Sequence, residues 1–284
     1  IAGDDDQAIY KWAGADVRKF LSIKGNIQVL PVSYRLPKKI HGLANQISNR
    51  ISLRQTKEWS CRDEEGTITE IQSIEDIDMS KGNWLILARA GYQLSKAESY
   101  CKRMGWFYEK GYNEFRANKY VIAIRSWIAL NNNEKISYDE LKKLYSCLKT
   151  NVGVKRGFKG LKNIETDIDF DLEYLKENVG LLAEGDWQDI LQGLDPEDIL
   201  MFESLVKSKD IFKNKARIRL STIHGMKGGE SENVVVMSDI SYRTWRKLNT
   251  EPDDEHRVFY VAITRAKKNL FILQPETKYS YDIR

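Results

Sequence analysis

Cysteine and proline are scarce, three and five in 284 residues. Cys61, Cys101 and Cys147 lie far apart and form no C-x-x-C pair, with only His41, His224 and His256 as further soft ligands. That excludes a disulfide framework and gives no spacing for a structural zinc site. No 18 apolar residues run together, and the N-terminal residues lack the basic-then-apolar order of a signal peptide, so no membrane span or export is expected and the cytoplasm is the expected compartment. No fixed-period repeat and no biased Gly or Pro tract occurs, which excludes fibrous and low-complexity classes.

What is present is a globular composition. Hydrophobic residues make up 42% and charged residues 30%, enough to bury a core in a chain long enough for two domains. A net charge of +4 favours a polyanionic partner only weakly. Seven tryptophans and 14 tyrosines offer faces for base stacking, although core packing explains most of them.

Along the chain, "NIQVLPV" (26–32) reads as a short strand and "SYRLP" as the break before a helix carrying Ile40, Leu43, Ala44, Ile47 and Ile51 at helical spacing, with Pro37 suited to its first turn. "NWLILARA" has the length and continuous apolar character of a strand covered on both faces, and "LSKAESYCKRMG" reads as a helix closed by Gly105. The C-terminal stretch repeats this grammar. "IRLSTIH", "ENVVVMSDI" and "NLFIL" read as strands and "DDEHRVFYVAITRAKK" as a helix. Between them, "ANKYVIAIRSWIALN", "SYDELKKLYSCLK" and "DPEDILMFESLVKS" are helical, the last with Asp195 as cap and Pro196 in its first turn. The expected fold is a parallel α/β sheet domain with a helical insertion. Inside that insertion "NVGVKRGFKG" carries Lys155, Arg156 and Lys159, which suit either phosphate contact or an ordinary solvated loop.

Four stretches carry residues suited to chemistry. "TIHGMKGGESENVVV" places Thr222, His224, Gly228 and Glu230 in a Gly-rich loop between two strands, where open α/β sheets bind ligands through free backbone N–H groups. In "YVAITRAKK", Val258, Val261 and Ala262 facing the core would bring Arg265 to the helix end, from which a planar guanidinium can reach a phosphate. Arg35 follows a strand and precedes a helix start, a position that favours anions. The opening "IAGDDDQAIYKWAGA" sets Gln7 where it can orient a water or touch a terminal phosphate, and Tyr10 and Trp12 where they can face unstacked bases. Each stretch also has a bland reading as an ordinary loop, a surface arginine or an acidic turn.

Their order matches a known set. "GDDDQAIYKWAGA", "SYRLP", "TIHGMKGGE" and "FYVAITRA" resemble motifs III, IV, V and VI of the UvrD/Rep family of superfamily-one DNA helicases. "NWLILARA" and "CKRMGWFYEKGYNEF" look like the strand and loop leading into that family's inserted helical subdomain. The resemblance implies a RecA-like parallel sheet domain of the P-loop NTPase type with an inserted helical subdomain. Residues 1–25 would then be a remnant of a first RecA-like domain, 26–110 with 214–284 the second, and 111–213 the insertion.

It further implies ATP-dependent helicase activity, moving 3′ to 5′ along single-stranded DNA and acting at duplex junctions. Gln7, Arg35 and Arg265 correspond to γ-phosphate contacts, and Glu230 to the acid on the nucleotide ribose, beside Gly228. Tyr10 and Trp12, with Thr222 and His224, correspond to DNA contacts. Two departures stand out. Ala13 takes the place of the family's usual arginine, and Gly229 and Ser231 replace the apolar residues of motif V, which is expected to leave that loop less firmly anchored. The chain contains no G-x-x-x-x-G-K-[ST], and it opens at Ile1 like a cut fragment without a Walker B acidic pair. The ligands of Mg2+ are therefore expected upstream, and the chain alone is not expected to hydrolyse ATP. Two alternatives stay open: a catalytically incomplete helicase-like module that binds nucleic acid or protein, and a helicase-nuclease of the RecB type.

Overall fold

The computed structural model describes residues 2–111, 118–162, 164–213 and 215–284. In chain order its elements are α1 (Val17–Leu21), α2 (Lys38–Ser48), β1 (Thr67–Ile71), β2 (Trp84–Ala88), α3 (Ser95–Arg103), β3 (Tyr108–Lys110), α4 (Lys119–Asn131) and α5 (Tyr138–Cys147). There follow α6 (Leu172–Asn178), α7 (Trp187–Ile190), α8 (Pro196–Lys207), β4 (Ile218–Thr222), β5 (Ser231–Met237), α9 (Tyr242–Leu248), α10 (Pro252–Ile263) and β6 (Ala266–Leu273). Two compact units result. One comprises Ile1–Tyr100, Lys110–Tyr112 and Arg217–Arg284, the other Cys101–Glu109 and Asn113–Ala216.

The first unit is built on the strands β1-β6-β5-β2-β4, neighbours in that order in one sheet. The pairings of β1 with β6, β6 with β5, β5 with β2 and β2 with β4 are all parallel, and Ile86 at the centre lies beside Leu220 and Val235. Parallel strands buried on both faces need unbroken apolar runs, and every residue of β2 is buried. Alternate side chains of the central strands, Leu85 and Leu87 with Val234 and Val236, share one core with Ile40, Leu43, Ala44 and Ile47 of α2 and with Val258 to Ile263 of α10. The carboxyl ends of β4 and β5 thus open onto the loops that follow Thr222 and Met237.

Three expectations need correction. Residues 26–32 form no strand, because composition alone makes none: apart from a single parallel bridge from Val32 to Ser60 the segment finds no neighbour to pair with, and Ile27 and Leu30 stay exposed. Pro37 is the N-cap of α2, one residue outside the first turn. The last helix stops at Ile263 and Ala266 already belongs to β6, so "AKK" is strand. Elements that the sequence reading did not name also appear, β1, in which only Ile71 is buried, β3, and the short helices α6, α7 and α9.

In the second unit α4 and α5 pack together through Val121, Ile124, Trp127, Leu141 and Leu144, all buried. The expected helix start at Asp195 is present, with its carboxylate accepting from the Asp198 N–H at 2.7 Å and Pro196 in the first turn. Of the stretch Cys101 to Phe115 singled out in the sequence, residues 112–115 lie outside the described residues.

Candidate functional site

The site lies within the first unit and is assembled by α10. Its apolar residues fix the helix in the core, and the chain turns at Thr264 so that Arg265 folds back beneath the helix end, donating from Nε to the Val261 carbonyl at 2.9 Å. Val258, Val261 and Ala262 are buried as their spacing implies. Arg265, however, does not project into a cleft. It is 1% exposed.

Its other donors reach the Gly229 carbonyl at 3.3 Å, the Gln7 Oε1 at 3.1 Å and the Thr264 hydroxyl at 3.3 Å. All these partners are neutral, and among the described residues no carboxylate forms an ion pair with it. Burial, and next the nearby Arg35 guanidinium, lower its pKa from 12.5 to about 10, so it remains a cation at neutral pH. Glu230 and Asp4 favour its charge from a distance without touching it, so the guanidinium is hydrogen-bonded but has no directly contacting anion among the described residues.

Arg35 stands beside it. Its Nη1 meets the Thr264 carbonyl at 3.4 Å and its Nε donates to Glu230 at 2.7 Å. Glu230 also pairs with Lys267, and that hydrogen bond is the main cause of its lowered pKa. Lys227 adds a further cation whose pKa falls through burial first and Arg265 second. Gln7, Arg35, Glu230 and Arg265, far apart in sequence, are thus joined in one polar chain.

The Gly-rich loop closes this chain. After β4 it winds through hydrogen bonds from Gly225 N–H to Thr222 Oγ1 (3.1 Å), Met226 N–H to the Thr222 carbonyl (3.1 Å) and Gly229 N–H to the Met226 carbonyl (3.0 Å). Gly228 adopts φ +90°, a left-handed conformation that L side chains rarely take. Ser231, one of the two residues that replace the apolar positions, opens β5 and is held by polar bonds. Its N–H donates to the Arg265 carbonyl (3.1 Å) and its hydroxyl to the Asn83 carbonyl (2.8 Å), so polar bonds replace the apolar anchor.

On the far side of Gln7, the Tyr10 hydroxyl donates to the His224 carbonyl at 2.7 Å, and the ring meets those of Trp12 and His224 edge-on at 5.9 and 6.2 Å. Burial lowers the His224 pKa and keeps the imidazole neutral. Trp12 is 77% exposed. Thr222 uses its hydroxyl within the loop. Ala13 is exposed, and the neighbouring Lys11 instead reaches Glu251 and Asp254, each at 3.1 Å.

Sequence reasoning missed what holds the opening segment. Lys57 Nζ sits among three carboxylates, 2.6 Å from Asp4, 2.5 Å from Asp5 and 3.0 Å from Asp6. Arg54 forks onto Asp6 at 3.0 and 2.8 Å, the Gln55 N–H donates to Asp5 at 2.7 Å, and buried Arg257 donates to the Asp5 carbonyl at 3.0 Å. The three acids lie close enough to chelate an ion, with ligand atoms within 4.8 Å of one another, but the ammonium and guanidinium already fill that role. They do not fit as magnesium ligands. The run of three acids was the only hint, and it named no partner.

Two arginines and a glutamate gathered at the amino ends of β5 and β6 of a parallel sheet with flanking helices belong to an α/β domain of RecA-like type. The chain belongs to the UvrD-like helicase C-terminal domain family, whose family model matches residues 107–277. It is 24% identical to the DNA helicase II of Rickettsia typhi over 369 aligned residues, covering 97% of this chain and 56% of that protein. A probable DNA helicase II homolog of Rickettsia conorii matches at the same identity and coverage. The ATP-dependent DNA helicase PcrA of Bacillus subtilis is 36% identical over 70 residues, 22% of this chain and 10% of its own length. The chain spans about half the length of the Rickettsia relatives it matches.

Proposed function

We propose that the chain is the portion of an ATP-dependent DNA helicase that receives the γ-phosphate on one side and a single DNA strand on the other. The buried Arg265, which no carboxylate contacts directly among the described residues, carries this reading, because a terminal phosphate would supply the adjacent negative charge that Glu230 and Asp4 offer only from a distance. ATP supplies the phosphoryl group whose charge the site receives, and its P-loop and Mg2+ ligands belong to another RecA-like domain. Arg265 and Arg35 approach the γ-phosphate with planar forks, and Gln7 orients the attacking water or the phosphate from its place on Arg265 Nη2. Glu230, released from Arg35 as that arginine turns to phosphate, accepts from the ribose hydroxyls, while Lys267 keeps it charged and Gly228 lets the loop approach closely.

Trp12 stacks on a base, with Tyr10 bracing its edge and Thr222 and His224 lining the same loop. Because Gln7 ends one short 3-10 turn (Asp5–Gln7) and Tyr10 caps the next (Lys11–Ala13), only Ala8 and Ile9 separate the phosphate contact from the base contact. A DNA-stimulated ATPase assay on the whole gene product, with unwinding of duplexes bearing a 3′ or a 5′ tail, tests this. Turnover raised by single strands with unwinding from the 3′ tail is expected. Turnover indifferent to DNA would overturn the proposal, and equal unwinding from both tails would overturn the polarity.

A further inference from the structure

A second aromatic group lies in the same unit, outside every motif discussed so far. Tyr242 and Trp245 of α9 stack with ring planes 19° apart and centroids at 6.4 Å, and Tyr279 joins both, at 5.2 and 5.5 Å. Tyr242 is 54% exposed, and Trp245 and Tyr279 are half-buried. Trp245 packs partly against the core and supports the other two rings, and Tyr242 presents the most exposed face. Cations border them: Arg246 lies over the Tyr242 ring at 5.9 Å, Lys278 over Tyr279 at 5.4 Å, and Arg243 is exposed on the same short helix.

The group is held in place. The Asp239 carboxylate accepts from the N–H groups of Glu276 (2.9 Å) and Thr277 (3.0 Å) and from the Thr277 hydroxyl (2.7 Å). The Ile240 N–H donates to the Tyr279 carbonyl at 2.9 Å. A polar clasp thus fixes the turn bearing Tyr279 against the segment entering α9. Preorganised aromatic faces bordered by arginine and lysine suit one chemistry, unstacked bases on a phosphate chain.

The group is also tied to Trp12. Glu251 and Asp254 accept from Lys11, next to Trp12, and from Lys247, two residues beyond Trp245 (3.6 and 3.3 Å). The two aromatic groups thus flank one neutralised acidic pair.

We infer that Tyr242, Trp245 and Tyr279 form a second base-stacking platform that extends the single-strand track beyond Trp12. The platform rests on the reading that this chain binds single-stranded DNA. Photo-crosslinking of the 284-residue chain to an oligothymidylate carrying 5-iododeoxyuridine, with peptide mapping, tests it, beside anisotropy titrations of the same oligonucleotide against Tyr242→Ala/Tyr279→Ala and Arg246→Gln/Lys278→Gln. Crosslinks at Tyr242, Trp245 or Tyr279 together with crosslinks at Tyr10 or Trp12 are expected. The aromatic variant should bind about tenfold more weakly and the cation variant should show a shallower salt dependence, both with unchanged circular dichroism.

Crosslinks confined to Tyr10 and Trp12, with unaltered affinity in the folded variants, overturn the platform and leave the proposed function standing. Equally efficient crosslinking of a fully paired duplex overturns the single-strand assignment. Absence of binding altogether overturns both readings.

Discussion

Arg265 and Lys57 are both cations withdrawn from water, and their surroundings give them opposite roles. Lys57 is saturated: burial would lower its pKa, but Asp4, Asp5 and Asp6 outweigh burial and raise it. In Lys57→Met, the three carboxylates keep only Arg54 and backbone donors, and the variant should lose about 3–5 kcal/mol at pH 7 by urea denaturation. Burial acts first on Asp5, upward, yet Lys57 and the Gln55 N–H hold its pKa below 3.8. The stabilisation is therefore present above pH 3.8 and lost as pH falls below it, so the difference between wild type and variant should shrink as pH is lowered through that range. Trp12 offers the opposite case. Exposed and touching little but Tyr10, its replacement by alanine should leave the urea midpoint unchanged while weakening single-strand binding about tenfold by anisotropy.

Elements show how much the sequence disclosed. The runs "WLILA" and "ENVVVM" and the spacing of Ile40 to Ile47 name their elements outright, because a buried strand or an amphipathic helix writes its environment into consecutive residues. β1 does not, since a parallel edge strand with one buried residue depends on Asn269 to Leu273 as its template. Residues 26–32 fail for the converse reason, having strand composition but no ladder to join. The site residues Gln7, Arg35, Glu230 and Arg265 were visible only as a family pattern. Their mutual contacts, and the Lys57 clamp, join residues some 50 to 258 positions apart, which no local signal encodes. Gly66 tests one such junction. At φ +68° a Cβ there would lie 2.5 Å from Pro37, the residue that caps α2 and follows the Arg35 loop. Gly66→Ala should cost about 1–3 kcal/mol in urea and blunt any anion-dependent stabilisation that Arg35 provides.

Over the whole molecule, three histidines behave alike. His41, His224 and His256 all have pKa values lowered from 6.5, burial being the leading cause for each. The unfolded chain then takes up protons that the folded chain refuses as pH falls below about 6.5, so stability should decline from pH 7.5 to pH 5.5. Urea midpoints across that range should drop, and replacing the three by glutamine should flatten the slope. The described chain folds as two compact units, one built on the sheet and one helical.

The central claim is the proposal that the Arg265 guanidinium, buried with no carboxylate in direct contact among the described residues, meets the γ-phosphate. Steady-state ATP hydrolysis by the whole gene product, saturated with single-stranded DNA, measures this when wild type is set beside Arg265→Ala and Arg265→Lys. A loss of about 10³-fold in kcat is predicted for alanine, with little recovery by lysine because a point charge does not reproduce the planar fork. Turnover by Arg265→Ala at the wild-type rate, in protein that still binds the strand, would contradict the account.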